Sequence, residues 1–172
     1  MYYQRITPDH AQAFFNLRLQ SVTDHPEAFS TTPQEELSIP LTVLKDKLHP
    51  TRTPLYLAFG AFTPDHQLVG RCVLYQGDLQ KTAHKATLSG VYVLPSFQHQ
   101  GIARSLLRFA LNYANTTPLQ QVNLAVTSSN LTAIRLYSSL GFQLLGIEPN
   151  AIYVNNTYYT DIHMFLPLHN KP

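Results

Sequence analysis

The residues with the most chemical potential lie between Gly90 and Phe142. The run Gln98-His99-Gln100-Gly101-Ile102-Ala103 carries the chain from an abruptly ended strand, Gly90 to Pro95, straight into an amphipathic helix. The first N–H groups of a helix have no internal partner and sit at the positive end of its dipole, so such a turn can bind a phosphate. Gly101 and Ala103 are small and let a pyrophosphate approach the backbone. Taken alone, a glycine-containing strand-to-helix turn is more often a plain connection. Further along, Asn130 and Tyr137 are seven residues apart on one predicted helix, which puts them on one face about 10 Å apart at 1.5 Å per residue.

The elements that must position these residues follow from periodicity and breakers. Tyr2 to Ile6 reads as an edge strand, and Thr7-Pro8-Asp9 as the start of a helix over about 9–22 with Ala11, Phe14, Phe15 and Val22 on its apolar face. Arg18 shares that face, where an arginine snorkels, meets a structural acid or lies beside a substrate. Residues 25–38, with Pro26 and Pro33, read as a loop; Pro40 opens a second short helix with Leu41, Leu44 and Leu48 on one side. Strands are expected at 55–62, 68–76 and 86–94, the first two joined by a hairpin turn at Pro64 to Gln67. A helix over 101–114, a strand through Val122, Leu124 and Val126, a helix from Asn130 to Leu140 capped by Gly141, and strands at 142–148 and 158–166 complete the order. The sum is an α/β fold with a mixed sheet and helices on its faces.

Composition bounds the function classes. The chain has 172 residues, enough for one domain spanning 1–172 that buries roughly 70% of its unfolded surface. Hydrophobic residues make up 44% and charged residues 13%, which excludes a disordered chain. Lys and Arg number 12 and Asp and Glu 10, a balance of +2 that makes no case for nucleic acid as a partner. The lone Cys72 cannot form an internal disulfide and reads as a small buried residue in a reducing, cytoplasmic setting. No signal peptide or membrane span is readable, and the eight histidines form no cluster at metal-ligand spacing, so neither a membrane nor a metal is expected.

The two motifs together carry a resemblance. QxxGxA at Gln98–Ala103, followed by NxxAxxLYxxLGF at Asn130–Phe142, resembles the acetyl-CoA site of the GNAT superfamily of N-acetyltransferases. The resemblance extends more loosely over nearly the whole chain, to the segments near 17–29 and at the end of the sequence. It implies a mostly antiparallel central sheet of about seven strands flanked by about four helices. It also implies acetyl-CoA as co-substrate, with no metal, and a small-molecule amine or peptide end as acceptor. Backbone groups of Val91 and Val93 would pair with the pantetheine arm as an added strand. The N–H groups of Gln98, His99, Gln100, Gly101, Ile102 and Ala103, with Arg104 close by, would cradle the pyrophosphate. Asn130 would hydrogen-bond the cofactor near its pantetheine arm, and Tyr137 would face the thioester sulfur. A homodimer is expected by the same analogy.

The implied reaction is direct attack of an amine on the acetyl-CoA carbonyl, without an acyl-enzyme. A backbone N–H at the end of the Gly90–Leu94 strand would stabilise the oxyanion, and Tyr137 would protonate the leaving thiolate. An ordinary phenol and an ordinary thiol differ by about 1.5 pKa units, close enough for useful proton sharing. The base is missing. A lysine-like amine loses its proton at pH 7 at a cost of about 4.6 kcal/mol, and Leu88 occupies the position where many relatives keep a glutamate. Glu35, Glu36 and Asp161 are the candidate acids, and a relaying water is the alternative. Tyr153, Tyr158 and Tyr159 could box an ammonium by cation–π contact or simply pack on the sheet. The missing glutamate leaves a second reading open, a non-catalytic acyl-CoA-binding or regulatory module. A longer acyl donor such as succinyl-CoA is a third.

Overall fold

The computed structural model describes residues 1–51 and 54–168. Seven strands form one sheet: β1 (Tyr2–Arg5), β2 (Tyr56–Phe62), β3 (Leu68–Tyr75), β4 (Lys85–Val93), β5 (Gln121–Thr127), β6 (Gln143–Val154) and β7 (Thr157–Pro167). The helices are α1 (Ala11–Asp24), α2 (Pro33–Leu37), α3 (Leu41–Lys47), α4 (Ile102–Asn115) and α5 (Leu131–Ser139). Strand order is β1-β2-β3-β4-β5-β7-β6, antiparallel throughout except for the parallel pair β4 and β5. The expected elements are all present, and the mostly antiparallel seven-stranded sheet is the architecture the resemblance implied.

One helix exceeds expectation. Within the stretch read as loop, Thr32-Pro33-Gln34-Glu35 closes a capping box: the Glu35 backbone N–H donates to Thr32 Oγ1 at 3.2 Å, and the Thr32 N–H donates to Glu35 Oε2 at 2.7 Å. Proline at the first helical position completes the start signal, and α2 follows. The last hairpin is also longer than expected. Asn155 and Asn156 both take positive φ, at 52° and 58°, the backbone of a tight two-residue turn that asparagine tolerates.

β2 and β3 are buried along nearly their whole length because both faces of the sheet are covered. On one face α4 presents Leu106, Leu107, Ala110 and Ala114 to Phe59, Cys72 and Leu74. On the other, α1 and α3 bring Phe14, Leu17, Leu44 and Leu48 to Ala58, Phe62 and Val73. No helix among the described residues is long and apolar enough to cross a membrane.

Candidate active site

β4 and β5 run side by side only from Lys85–Gln121 to Thr87–Asn123 and then diverge. The divergence begins beside a bulge in β4, where the pairing with β3 jumps from Val73–Ser89 to Arg71–Tyr92 and two residues, Gly90 and Val91, oppose Cys72 alone. Gly90 has φ 61°, and a Cβ there would lie 2.4 Å from Nη1 of Arg71. The bulge therefore needs glycine twice, for its backbone and for the guanidinium behind it. That guanidinium is fully buried, lies 5.4 Å from the Phe14 ring centroid and 5.9 Å from that of Phe29, and donates from Nη2 to Ser21 Oγ at 2.7 Å. Burial pushes its pKa down to about 10.

A cavity of about 680 Å³ fills the gap between the diverging strands. One wall is β4 and the turn into α4. The Leu94 N–H donates to Val69 on the β3 side, so the alternate residues Val93 and Val91 direct their backbone groups toward the gap. The Val93 carbonyl is already engaged, accepting from Gln98 Nε2 at 3.0 Å. The turn then passes through two left-handed residues, His99 at φ 60° and Gly101 at φ 76°. Gly101 is the N-cap of α4 and supplies no capping side chain; the first helical bond runs from Ser105 back to the Gly101 carbonyl. The amides of Ile102, Ala103 and Arg104 have no intrahelical partner. Nothing lies within 4 Å of a Cβ built on Gly101, so the approach to these donors is open. Gln98, His99, Gly101, Ile102, Ala103 and Arg104 all line the cavity. Gln100 does not, and its side chain turns back to the Ser96 carbonyl at 3.3 Å.

The facing wall is α5. Asn130 is its N-cap rather than a residue inside it, because its side-chain oxygen accepts from the Ala133 N–H at 3.0 Å. Tyr137 lies at the other end and is 7% exposed at the cavity wall. Its place is set by the helix end. Phe142 N–H donates to the Tyr137 carbonyl at 3.1 Å and Gly141 N–H to that of Ser138 at 3.0 Å, with Gly141 at φ 96°. This is a Schellman cap, and its customary apolar contact is the Tyr137 ring against Phe142 at 5.9 Å. The Leu-Gly-Phe ending of the second motif is thus what aims Tyr137. Burial raises the phenol's pKa well above its ordinary value. The near match with a thiol expected from ordinary values is correspondingly lost: Tyr137 is a weaker acid that keeps its proton.

The third side is formed by the chain between α1 and α2, with His25, Ala28 and Phe29 at the cavity. Tertiary bonds hold it. Thr127 Oγ1 donates to the Glu27 carbonyl at 2.9 Å, and Tyr92 Oη donates to Asp24. Arg18 forms a bidentate pair with Glu36, which also accepts from Thr31 Oγ1 at 2.6 Å. Desolvation pushes the Glu36 pKa up, but the hydrogen bonds from Arg18 and Thr31 and the Arg18 charge outweigh it and hold the carboxyl below its ordinary value.

None of the expected acids lines the cavity. Glu36 is 1% exposed in its ion pair and Glu35 closes the α2 capping box. Asp161 sits opposite Thr127 on β7 with Oδ1 buried, and desolvation raises its pKa. Leu88 is at the wall, an apolar residue 3% exposed. The tyrosine box does not form there either: Tyr153 and Tyr158 pack on each other at 4.6 Å near the tip of the β6–β7 hairpin, 59% and 63% exposed. Cys72 is buried, its pKa pushed up to about 12 by desolvation, which suits a structural thiol. No group of three or more potential metal ligands occurs among the described residues. His25 and Arg135 also line the cavity, and no local sequence signal marks either.

A strand pair opened by a bulge, unpaired helix amides facing the gap and a tyrosine across from them thus share one open cavity. The family profile described as Acetyltransferase (GNAT) family matches residues 17–142, and the chain belongs to that family. It is 35% identical over 89 residues to a [ribosomal protein bS18]-alanine N-acetyltransferase of Salmonella typhimurium, a match spanning 52% of this chain and 60% of that protein. It is 33% identical over 92 residues to a streptothricin acetyltransferase of Escherichia coli, spanning 52% of this chain and 49% of the relative. The chain thus spans about half to three-fifths of the length of these relatives. In fold it is similar to a Salmonella typhimurium structure of a candidate acetyltransferase with its cofactor acetyl-CoA, at TM-score 0.82 and 18% identity, covering 100% of this chain and 96% of that one.

Proposed function

We propose that the chain is an N-acetyltransferase that moves the acetyl group of acetyl-CoA to a primary amine by direct attack in a ternary complex. The observation that carries this reading is the single cavity shared by the open edge of β4, the unpaired first amides of α4 and Tyr137. The α4 amides, with Arg104, would take the pyrophosphate without a basic surface. The N–H of Val93 and the backbone groups of Val91 would take the pantetheine arm, the Val93 carbonyl being satisfied by Gln98. Asn130 would bond the arm through its amide nitrogen, because its oxygen caps α5. A backbone N–H near the end of β4 would stabilise the oxyanion, and Tyr137 would give the departing sulfur its proton. The reaction as written needs no metal.

The acceptor is an amine on a small molecule or a peptide end. The two relatives named above act at those two scales, a ribosomal protein and streptothricin. We place the enzyme in the cytoplasm, where acetyl-CoA is made. Two copies could associate through the apolar outer strand β6, whose Leu144, Leu145 and Ile147 are exposed.

Thiol release from acetyl-CoA is the test, measured across polyamines, amino acids, aminoglycosides and alanine-initiated peptides. Turnover with one class names the acceptor. Tight acetyl-CoA binding with no turnover on any class supports a binding module instead, and preference for succinyl-CoA over acetyl-CoA revises the donor. Tyr137→Phe is expected to lower kcat about 10²-fold with acetyl-CoA affinity barely changed, by the usual size of a lost acid. An unchanged kcat removes Tyr137 from the mechanism.

A further inference from the structure

An amine that arrives as an ammonium must lose a proton before it attacks, and no carboxylate among the described residues lines the cavity to take it. One titratable side chain on the α1–α2 side does line it: His25, whose side chain is about half exposed. Its backbone is fixed at both ends, the N–H donating to the Ser21 carbonyl at 3.1 Å and the carbonyl accepting from Ala28 at 2.9 Å. Its ring packs edge-on against Tyr92 at 6.3 Å, and Nδ1 lies 3.5 Å from Glu27 Oε1. A carboxylate at Nδ1 favours the tautomer with its proton there and leaves the Nε2 lone pair available. Nε2 has no hydrogen-bond partner among the described residues.

We propose that His25 is the proton acceptor for the incoming ammonium, acting through Nε2 directly or through one water; this rests on the acetyl-transfer reading above. The ammonium gives one proton to Nε2, which passes it to solvent. The freed nitrogen pair forms the C–N bond to the thioester carbon, and the C–S bond breaks. The sulfur takes the Tyr137 phenolic proton, and the second nitrogen proton replaces it on the phenol. Ammonium and thioester thus become amide, thiol and one released proton. Of the charged and titratable groups near His25, Glu27 on the following turn and Tyr92 on β4 contact it, Asp24 at the end of α1 accepts from Tyr92, and His99, Arg104 and Arg135 line the same cavity. Arg71 on β3 lies deeper behind Phe29, and Asp161 on β7 faces Thr127, the residue that anchors the turn.

The test compares two simple acceptors at saturating acetyl-CoA: ethylamine, an ammonium at neutral pH, and hydroxylamine, which is mostly neutral there. His25→Gln is expected to lower kcat/KM for ethylamine about 10²-fold or more, the usual contribution of a positioned base. Hydroxylamine turnover and acetyl-CoA affinity should change less than threefold, which also shows that the variant is folded. Raising the pH should narrow the ethylamine deficit of His25→Gln, because a growing share of ethylamine is then free amine that needs no base. Glu27→Gln should lower the ethylamine rate several-fold and leave hydroxylamine turnover nearly unchanged. Equal losses for both amines, an unchanged ethylamine rate in His25→Gln, or a deficit that does not narrow as the pH rises overturns the assignment. A wild-type protein that binds acetyl-CoA yet acetylates neither amine nor any acceptor of the panel overturns the acetyl-transfer reading itself.

Discussion

The wall of the cavity formed by β4, α4 and α5 is built from near neighbours in sequence, while the wall toward α1 and α2 is assembled from distant ones. In the first, Gln98 bonds Val93, Asn130 bonds Ala133 and Phe142 bonds Tyr137, all within five residues. In the second, Arg18 reaches Glu36 18 residues away, Arg71 reaches Ser21 50 away, Tyr92 reaches Asp24 68 away and Thr127 reaches Glu27 100 away. The first kind of wall is held by short local bonds, each with a backbone group on at least one side, and the second by bonds that charged and polar side chains make across long stretches of chain. On the proposed acetyl-transfer reading, the first wall would bind a constant ligand and suits a local motif, while the second would meet the acceptor and is free to vary with its long-range partners.

The contrast can be broken from either side. Gly90→Ala is expected to cost the most, about 3–5 kcal/mol, because it adds left-handed backbone strain to a methyl driven against the Arg71 guanidinium. Chemical denaturation measures the loss, and acetyl-CoA affinity should fall with it as β4 shifts. A stable Gly90→Ala variant with native affinity would show that the bulge does not depend on its glycine.

Glu36→Gln tests the second wall and is expected to cost about 2–4 kcal/mol, below the figure for a fully enclosed pair because Arg18 is about a quarter exposed. Acid should imitate it. The Glu36 pKa is lowered in the folded protein, so its stabilisation is complete above the ordinary carboxyl value and is lost as pH falls through the folded value. Thermal unfolding followed from pH 6 to pH 3 should therefore decline less steeply in Glu36→Gln. Acceptor KM should rise in this variant while acetyl-CoA affinity holds; a loss confined to acetyl-CoA affinity would erase the distinction between the walls.

The smallest effect is expected for Gly141→Ala. Its cap geometry at φ 96° disfavours any Cβ, and a cost of about 1 kcal/mol should appear as a small drop in Tm. The sharper readout is kcat, which should fall because the cap aims Tyr137. A lowered Tm with unchanged kcat would mean that the phenol's placement tolerates a looser helix end.

The same contrast explains what could be read from sequence. Strand and helix positions, the Gly141 cap and the turn from Gln98 to Ala103 were legible because period, breakers and spacing are local. The α2 helix carried a local signal too, Thr-Pro-x-Glu, but the prolines around it made the stretch read as loop and the helix was missed. The fate of Glu36 was not: a glutamate next to another in a polar run gives no sign that it will be buried against Arg18. His25 is likewise silent in sequence, since only the divergence of β4 from β5 creates the space it faces. Arg71 offers a local hint at most, a single charge in an otherwise apolar strand.

Arg71 and Gly90 also constrain how this chain can change. They lie side by side across β3 and β4, so a side chain at position 90 asks for a shorter residue or a displaced guanidinium at 71. Across descendants the two positions should vary as one, a coupled pair detectable by comparing chains without measuring any of them.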